Sequence, residues 1–172
     1  MKLNLGSSRS RIVGYTNVDI RPILGVDIVD DVTILSKIPD SSVNSIIAFH
    51  VLEHVAPDRV MATLSTWHKK MKVCGDISIS VPDGELLIDR YLNDAPRREA
   101  YKDDPWGELV HGIFGNMAEM RVWHGDDAEK YMHHMLFSKS FLHRCLAKAG
   151  FSGITSGASV HRDCFTMKAR KQ

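Results

Sequence analysis

Four residues able to take part in chemistry stand at the ends of apolar runs in the first fifty positions. Gly6 follows residues 2–5, Asp19 follows 16–18, Asp31 follows 26–30, and His50 follows 44–49. Glycine has no Cβ, so a ligand can come close to its backbone. An acid at the end of the next strand can accept hydrogen bonds from two vicinal ribose hydroxyls, as acids do in dinucleotide folds. An imidazole with its ordinary pKa of about 6.5 can take a proton near neutral pH. Glu53 and His54 follow His50 closely, at the mouth of the same strand. Taken singly, these are as well explained as a turn glycine, loop-capping aspartates and structural histidines. Four strand ends in register make a pocket.

Nine histidines are present, six of them beyond residue 100. His50, His54, His111 and His133 are the candidate proton acceptors, and His124 and His134 lie close by in the sequence. Arg9 and Arg11 after the first strand, and Arg97, Arg98 and Arg121 further on, could grip a carboxylate or phosphate, because guanidinium forks match both. No metal is assigned. His124 with Asp126, Asp127 or His133 has suitable donor types, but HGDD lacks an established ligand spacing.

Short apolar runs bounded by turn residues are the pattern of buried parallel strands. They predict strands near 2–5, 16–20, 26–30, 44–49 and 75–81. A parallel crossover normally needs about a dozen residues, usually helical. Residues 6–15 and 21–25 leave room for a turn or two, so one face of the sheet should be thinly covered and a second subunit could cover it. A helix is expected over 57–73, with Pro57 in its first turn and Val60, Met61, Leu64, Trp67 and Met71 on one face. A second should follow Ser138 as N-cap and end at Gly150, burying Phe141, Leu142, Cys145, Leu146 and Ala149. Residues 153–160 and 164–169 read as an antiparallel hairpin at a sheet edge. The aromatic, histidine-rich segment 84–137 between these parts reads as an insertion forming a lid or substrate wall.

Composition narrows the classes. The 172 residues, 44% of them hydrophobic, suit a single domain spanning 1–172 with a proper core. Lys and Arg number 22 against 21 Asp and Glu, which argues against nucleic acid as the main partner. No run approaches the ~18 apolar residues of a membrane span, and Met1 leads straight into a strand without a signal peptide. Cys74, Cys145 and Cys164 form no CxxC and read as reduced core thiols. These features point to a cytoplasmic protein.

The chain resembles the class I S-adenosylmethionine-dependent methyltransferases, in their short type-11-like form. The resemblance is carried by KLNLG at 2–6, GYTNVDI at 14–20, VDDV at 29–32, IPDSSV at 38–43 and FHVLEHV at 49–55. It continues with WHKKMKVCG at 67–75, ISVPD at 79–83 and LAKAGF at 146–151. It implies an α/β, Rossmann-like, mostly parallel seven-stranded sheet with an antiparallel C-terminal hairpin, here with reduced N-terminal helices. By resemblance, Gly6 with Asn4 and Ser7 beside it would contact the methionine part of S-adenosylmethionine. Asp19 with Ile20 would take the ribose, and Asp31 with the Val32 backbone would take adenine. His50 would lie beside the reactive end. The chain departs from the family at Ser7-Ser8, where a second glycine is usual, at Asn44 in place of an acid, and at Val73-Cys74 in place of Pro-Gly.

The expected function is methyl transfer to a small molecule, on oxygen, with a sugar or cell-surface precursor as the family-level substrate. An anionic acceptor such as a nucleotide-sugar would suit the arginines. The alternative is a non-catalytic, degenerate relative that binds the cofactor or a partner. A nucleic-acid methyltransferase is disfavoured, because FHVLEH stands where an Asn/Asp-Pro-Pro-aromatic turn would be and no Pro-Cys is present. A nicotinamide oxidoreductase is disfavoured because GSSRSR does not supply GxGxxG.

Overall fold

The computed structural model describes residues 1–93, 108–161 and 163–172. Alternation of apolar residues produces seven strands: β1 (Lys2–Leu5), β2 (Thr16–Asp19), β3 (Ile28–Val29), β4 (Val43–Phe49), β5 (Met71–Pro82), β6 (Phe151–Ala158) and β7 (Cys164–Lys171). They form one sheet in the order β3-β2-β1-β4-β5-β7-β6. The first five strands run parallel, and β7 is antiparallel to both β5 and β6. This is the expected Rossmann-like sheet with its antiparallel C-terminal pair. Leu3 pairs with Ile46 and Ile46 with Ile77, and all three are buried in the core.

Turns replace helices in the links between β1, β2 and β3. A polar network ties these strands together instead. Asn4 donates to Asn17 Oδ1 at 2.9 Å and to the Ser10 carbonyl at 2.8 Å, while the amides of Asn17 donate to Asp27 Oδ2. Buried amides of this kind must be paired, and here they pair with one another. The expected thin cover is visible in the loops, where Val13 and Leu24 are 99% and 98% exposed.

The helix expected over 57–73 is a 3-10 turn, Pro57–Arg59, followed by α1 (Val60–Lys70). It ends early because β5 begins at Met71, four residues before the expected start. Val43 pairs with Met71 but Ser45 with Asp76, so residues 72–75 bulge out of the ladder. That bulge corrects the placement of Cys74, which is exposed and has φ 64° rather than lying in the core. Cys145 is buried, Cys164 is half-buried, and all three thiols are free.

Trp67 on α1 is fully buried, and its indole N–H reaches the Val32 carbonyl at 2.8 Å. A core helix thereby fixes the loop after β3. The segment 84–137 contributes α2 (Gly84–Asn93), α3 (Glu108–Phe114), α4 (Met117–His124) and a 3-10 stretch, Gly125–Tyr131. Then α5 (Lys139–Lys148) is capped as expected, with Ser138 Oγ accepting from the Phe141 N–H at 3.1 Å. Gly150 takes φ 97° just beyond it. Among the described residues, no helix is long and apolar enough to cross a membrane.

Candidate functional site

In sheets of this kind the strand order reverses between β1 and β4, and ligands bind beyond the carboxyl ends at that point. A cavity of 560 Å³ lies there, within the ~300–1,000 Å³ typical of small-molecule sites. Gly6, Asp19, Ile20, Asp31, Val32 and His50 all line it. Asn4 and Ser7 do not: Asn4 is spent in the strand-linking network, and Ser7 is 3% exposed with its hydroxyl unpartnered.

Gly6 has φ 60°, a conformation side chains rarely adopt, and a Cβ placed there would sit 2.5 Å from a Val51 methyl. The tight approach of β1 to residue 51 therefore demands glycine. Ser8 follows with φ 45° and donates its N–H to Asp19 Oδ2 at 2.8 Å. Asp19 Oδ1 accepts from both the backbone N–H and the Nε of Arg21, at 3.0 and 3.1 Å. Arg21 also donates to Ser8 Oγ at 3.0 Å and lies 5.7 Å from the Tyr131 ring centroid. The carboxylate assigned to ribose is thus held by a loop amide and a guanidinium. Asp19 lines a cavity whose far wall comes from residues more than 100 positions away.

Asp30 and Asp31 divide their duties. Asp30 is buried and turns inward, accepting from Ser36 Oγ at 2.9 Å and the Lys37 N–H at 2.8 Å. Burial pushes its pKa up, but those hydrogen bonds outweigh it and hold the carboxyl below its ordinary value. Asp31 faces the cavity, braced by the Thr33 N–H and hydroxyl at 2.8 and 2.7 Å. The Val32 carbonyl is taken by Trp67, so what Val32 can offer a ligand is its N–H.

His50, the residue after β4, has φ 55°, a strained backbone of the kind found at functional positions. Its Nε2 lies 3.9 Å from the Cys164 sulfur and its Nδ1 3.1 Å from Glu53 Oε1. Those two contacts outweigh burial and raise its pKa to about 10, so it stands as a cation paired with Glu53. His54 lines the cavity and donates Nδ1–H to the Met132 carbonyl at 3.2 Å. His133 packs edge-on against His54 with ring centroids 4.9 Å apart, and burial holds its pKa below the ordinary value. His111 is in α3 and is not part of the cavity lining.

Of the arginines expected to grip an anion, the described Arg9, Arg11 and Arg121 are not in the cavity lining. Arg11 pairs with Asp27 at 3.8 Å in an exposed loop. Arg97 and Arg98 fall outside the described residues, as does the side chain of His124. Arg21, Thr33, Arg59, Met120, Tyr131 and His134 complete the wall. Arg21 sits two residues beyond Asp19, and that nearness to a strand-end acid was a local signal. Arg59 carried none, since only folding brings it to Thr33 Oγ1 at 2.7 Å.

No protein-family model matches the chain, and no curated protein does. Solved structures are similar to it at low identity. One is a SAM-dependent methyltransferase from Archaeoglobus fulgidus, with 16% identity and a TM-score of 0.61 over 98% of this chain and 85% of that one. A second is a SAM-dependent methyltransferase from Thermotoga maritima, with 13% identity and a TM-score of 0.65 over 99% and 82%. A third is the 1,6-didemethyltoxoflavin-N1-methyltransferase of Burkholderia thailandensis with bound 1,6-didemethyltoxoflavin and S-adenosylhomocysteine, with 16% identity and a TM-score of 0.60 over 98% and 69%. The chain has the Rossmann-like fold of class I methyltransferases.

Proposed function

We propose that the chain is an S-adenosylmethionine-dependent methyltransferase acting on oxygen of a small molecule. One observation carries it: Asp19 and Asp31, at the ends of adjacent strands, enter one cavity at the switch point of the methyltransferase fold. The Burkholderia neighbour holds S-adenosylhomocysteine, the demethylated form of that cofactor, beside a small molecule, although it methylates nitrogen. Cofactor fit is supported by two acids, the Gly6 turn and Val32 in one cavity lining. When bound, S-adenosylmethionine supplies an electrophilic methyl group.

Asp19 would accept the ribose hydroxyls, sharing its oxygens with Ser8 and Arg21. Asp31 and the Val32 N–H would take the adenine edge, and the Gly6–Ser8 turn the methionine end. The His50–Glu53 pair is net neutral, so it does not repel a sulfonium. The raised pKa of His50 favours its protonated form and argues against it as the base. His134, exposed in the cavity wall, would take the acceptor's proton. The described part of segment 84–137 would form the substrate wall, a reading supported by Met120, Tyr131 and His134 in the cavity lining. An anionic acceptor such as a nucleotide-sugar belongs to the same proposal, and it would have to draw Arg21 or Arg59 from Asp19 or Asp31, their present partners. A homodimer is part of the same proposal, supported by the bare Val13 and Leu24 loops. Alignment of acceptor and methyl group is the main catalytic device, one able to contribute ~7–11 kcal/mol.

Calorimetry with S-adenosylmethionine tests the first step. Binding should be measurable, and Asp19→Ala should weaken it about 10- to 100-fold, the loss of hydrogen bonds to a charged group. No binding at millimolar ligand, or an Asp19→Ala variant that binds unchanged, would overturn the proposal. Turnover against free sugars and nucleotide-sugars tests the second. His134→Ala should lower it about 10²- to 10⁴-fold while leaving cofactor affinity unchanged. The turns that stand in place of helices between β1, β2 and β3 favour a second proposal, a non-catalytic binder. Binding without turnover of any acceptor would select it.

A further inference from the structure

Beside the cavity, the loop after β4 meets the segment leading into α5. The His134 and Met135 N–H groups donate to the Glu53 carbonyl at 2.7 and 3.1 Å, and the His133 N–H donates to the Phe114 carbonyl at 3.0 Å. This clamp brings together Glu53, His54 and His133, whose ligand atoms lie within 4.8 Å of one another. Glu53 is fully buried. One of its oxygens holds His50, and the other, Oε2, has no hydrogen-bond partner. Leaving a buried carboxylate oxygen unpaired is costly unless something satisfies it.

Both imidazoles are set up the same way. His54 Nδ1 faces the Met132 carbonyl at 3.2 Å and His133 Nδ1 faces the Gly112 carbonyl at 3.3 Å. A carbonyl can only accept, so each Nδ1 carries the proton and each Nε2 keeps its lone pair. Metal-ligating histidines are oriented in this manner, by a backbone carbonyl on the other ring nitrogen.

We propose that Glu53, His54 and His133 form a binding site for a divalent transition-metal ion of the zinc type. Two imidazoles and one carboxylate suit zinc better than magnesium or calcium, which prefer all-oxygen shells. Bonds of about 2.0–2.2 Å put ligand atoms roughly 3.3 Å apart, so small side-chain rotations close the site. Three protein ligands leave a coordination position open, as in catalytic rather than structural zinc sites. His54 belongs to both the trio and the cavity lining, so the ion would sit in the cavity wall.

The test needs no cofactor or acceptor, so it stands apart from the methyl-transfer proposal. Tag-free, chelator-stripped protein is titrated with Zn²⁺ by calorimetry and with Co²⁺ by visible absorption. One ion per chain should bind, with d–d bands of low-coordinate cobalt. His133→Gln should weaken binding by about 100-fold or more, and Glu53→Gln should do the same. His143→Ala, on the exposed face of α5, should bind like the parent. If Glu53→Gln does not fold, the half-buried His133→Gln decides the matter alone. The proposal is overturned by absence of binding, or by His133→Gln binding as tightly as the parent.

Discussion

At Gly6 one added methyl group meets two obstacles. The backbone is left-handed there, and Val51, 5% exposed and β-branched, stands 2.5 Å from where a Cβ would go. Gly6→Ala should cost on the order of 1–3 kcal/mol, read as a lowered urea midpoint. Adding Val51→Ala should relieve the crowding but not the backbone strain, so only part of the midpoint should return. The same scale shows what sequence could convey about the site. Acids at strand ends are set by neighbours in the chain, and Asp19 and Asp31 were legible for that reason. Which acid of the pair Asp30-Asp31 turns inward depends on the following turn, where Ser36 and the Lys37 N–H hold Asp30. The partnership of Glu53 with His133 was not legible, because it needs two loops 80 residues apart to meet.

Among the elements, α5 has the most transparent logic. Its start is fixed by a serine that covers an otherwise bare amide, and its apolar stripe puts Leu142, Cys145 and Leu146 into the core. Ser138→Ala should remove about 1 kcal/mol, seen as a fall in Tm of about 2–4 °C for a chain of this size. Ser138→Asp should keep the melting point near that of the parent, since its carboxylate can cover the same amide. Elements whose limits come from such local signals were readable in advance. The early end of α1 was not, because the start of β5 at Met71 is imposed by pairing with Val43 on another strand. The brevity of β3 is also a tertiary outcome: only Ile28 and Val29 find partners on β2.

Across the whole molecule, acid should act in two stages. Burial, with the nearby Lys171 charge, holds His68 below its ordinary pKa. The unfolded chain therefore takes up that proton more readily, and stability should begin to fall as pH drops below about 6.5. Asp30 has a lowered carboxyl pKa, so its contribution is complete above its unfolded value and is lost as pH falls through the folded one. Urea midpoints measured from pH 8 to pH 3 should decline in both windows, and His68→Phe should shrink the upper decline, leaving the share of His133, whose pKa burial also lowers. The sheet also has two unlike flanks. β3 presents two residues, too few to template another chain, whereas β6 presents eight. That longer flank slips register between Ser152 and Thr155, where Gly153 takes φ 59°. An incoming strand would lose its ladder halfway along, so the fold carries its own protection against fibrous growth on the only side long enough to start it.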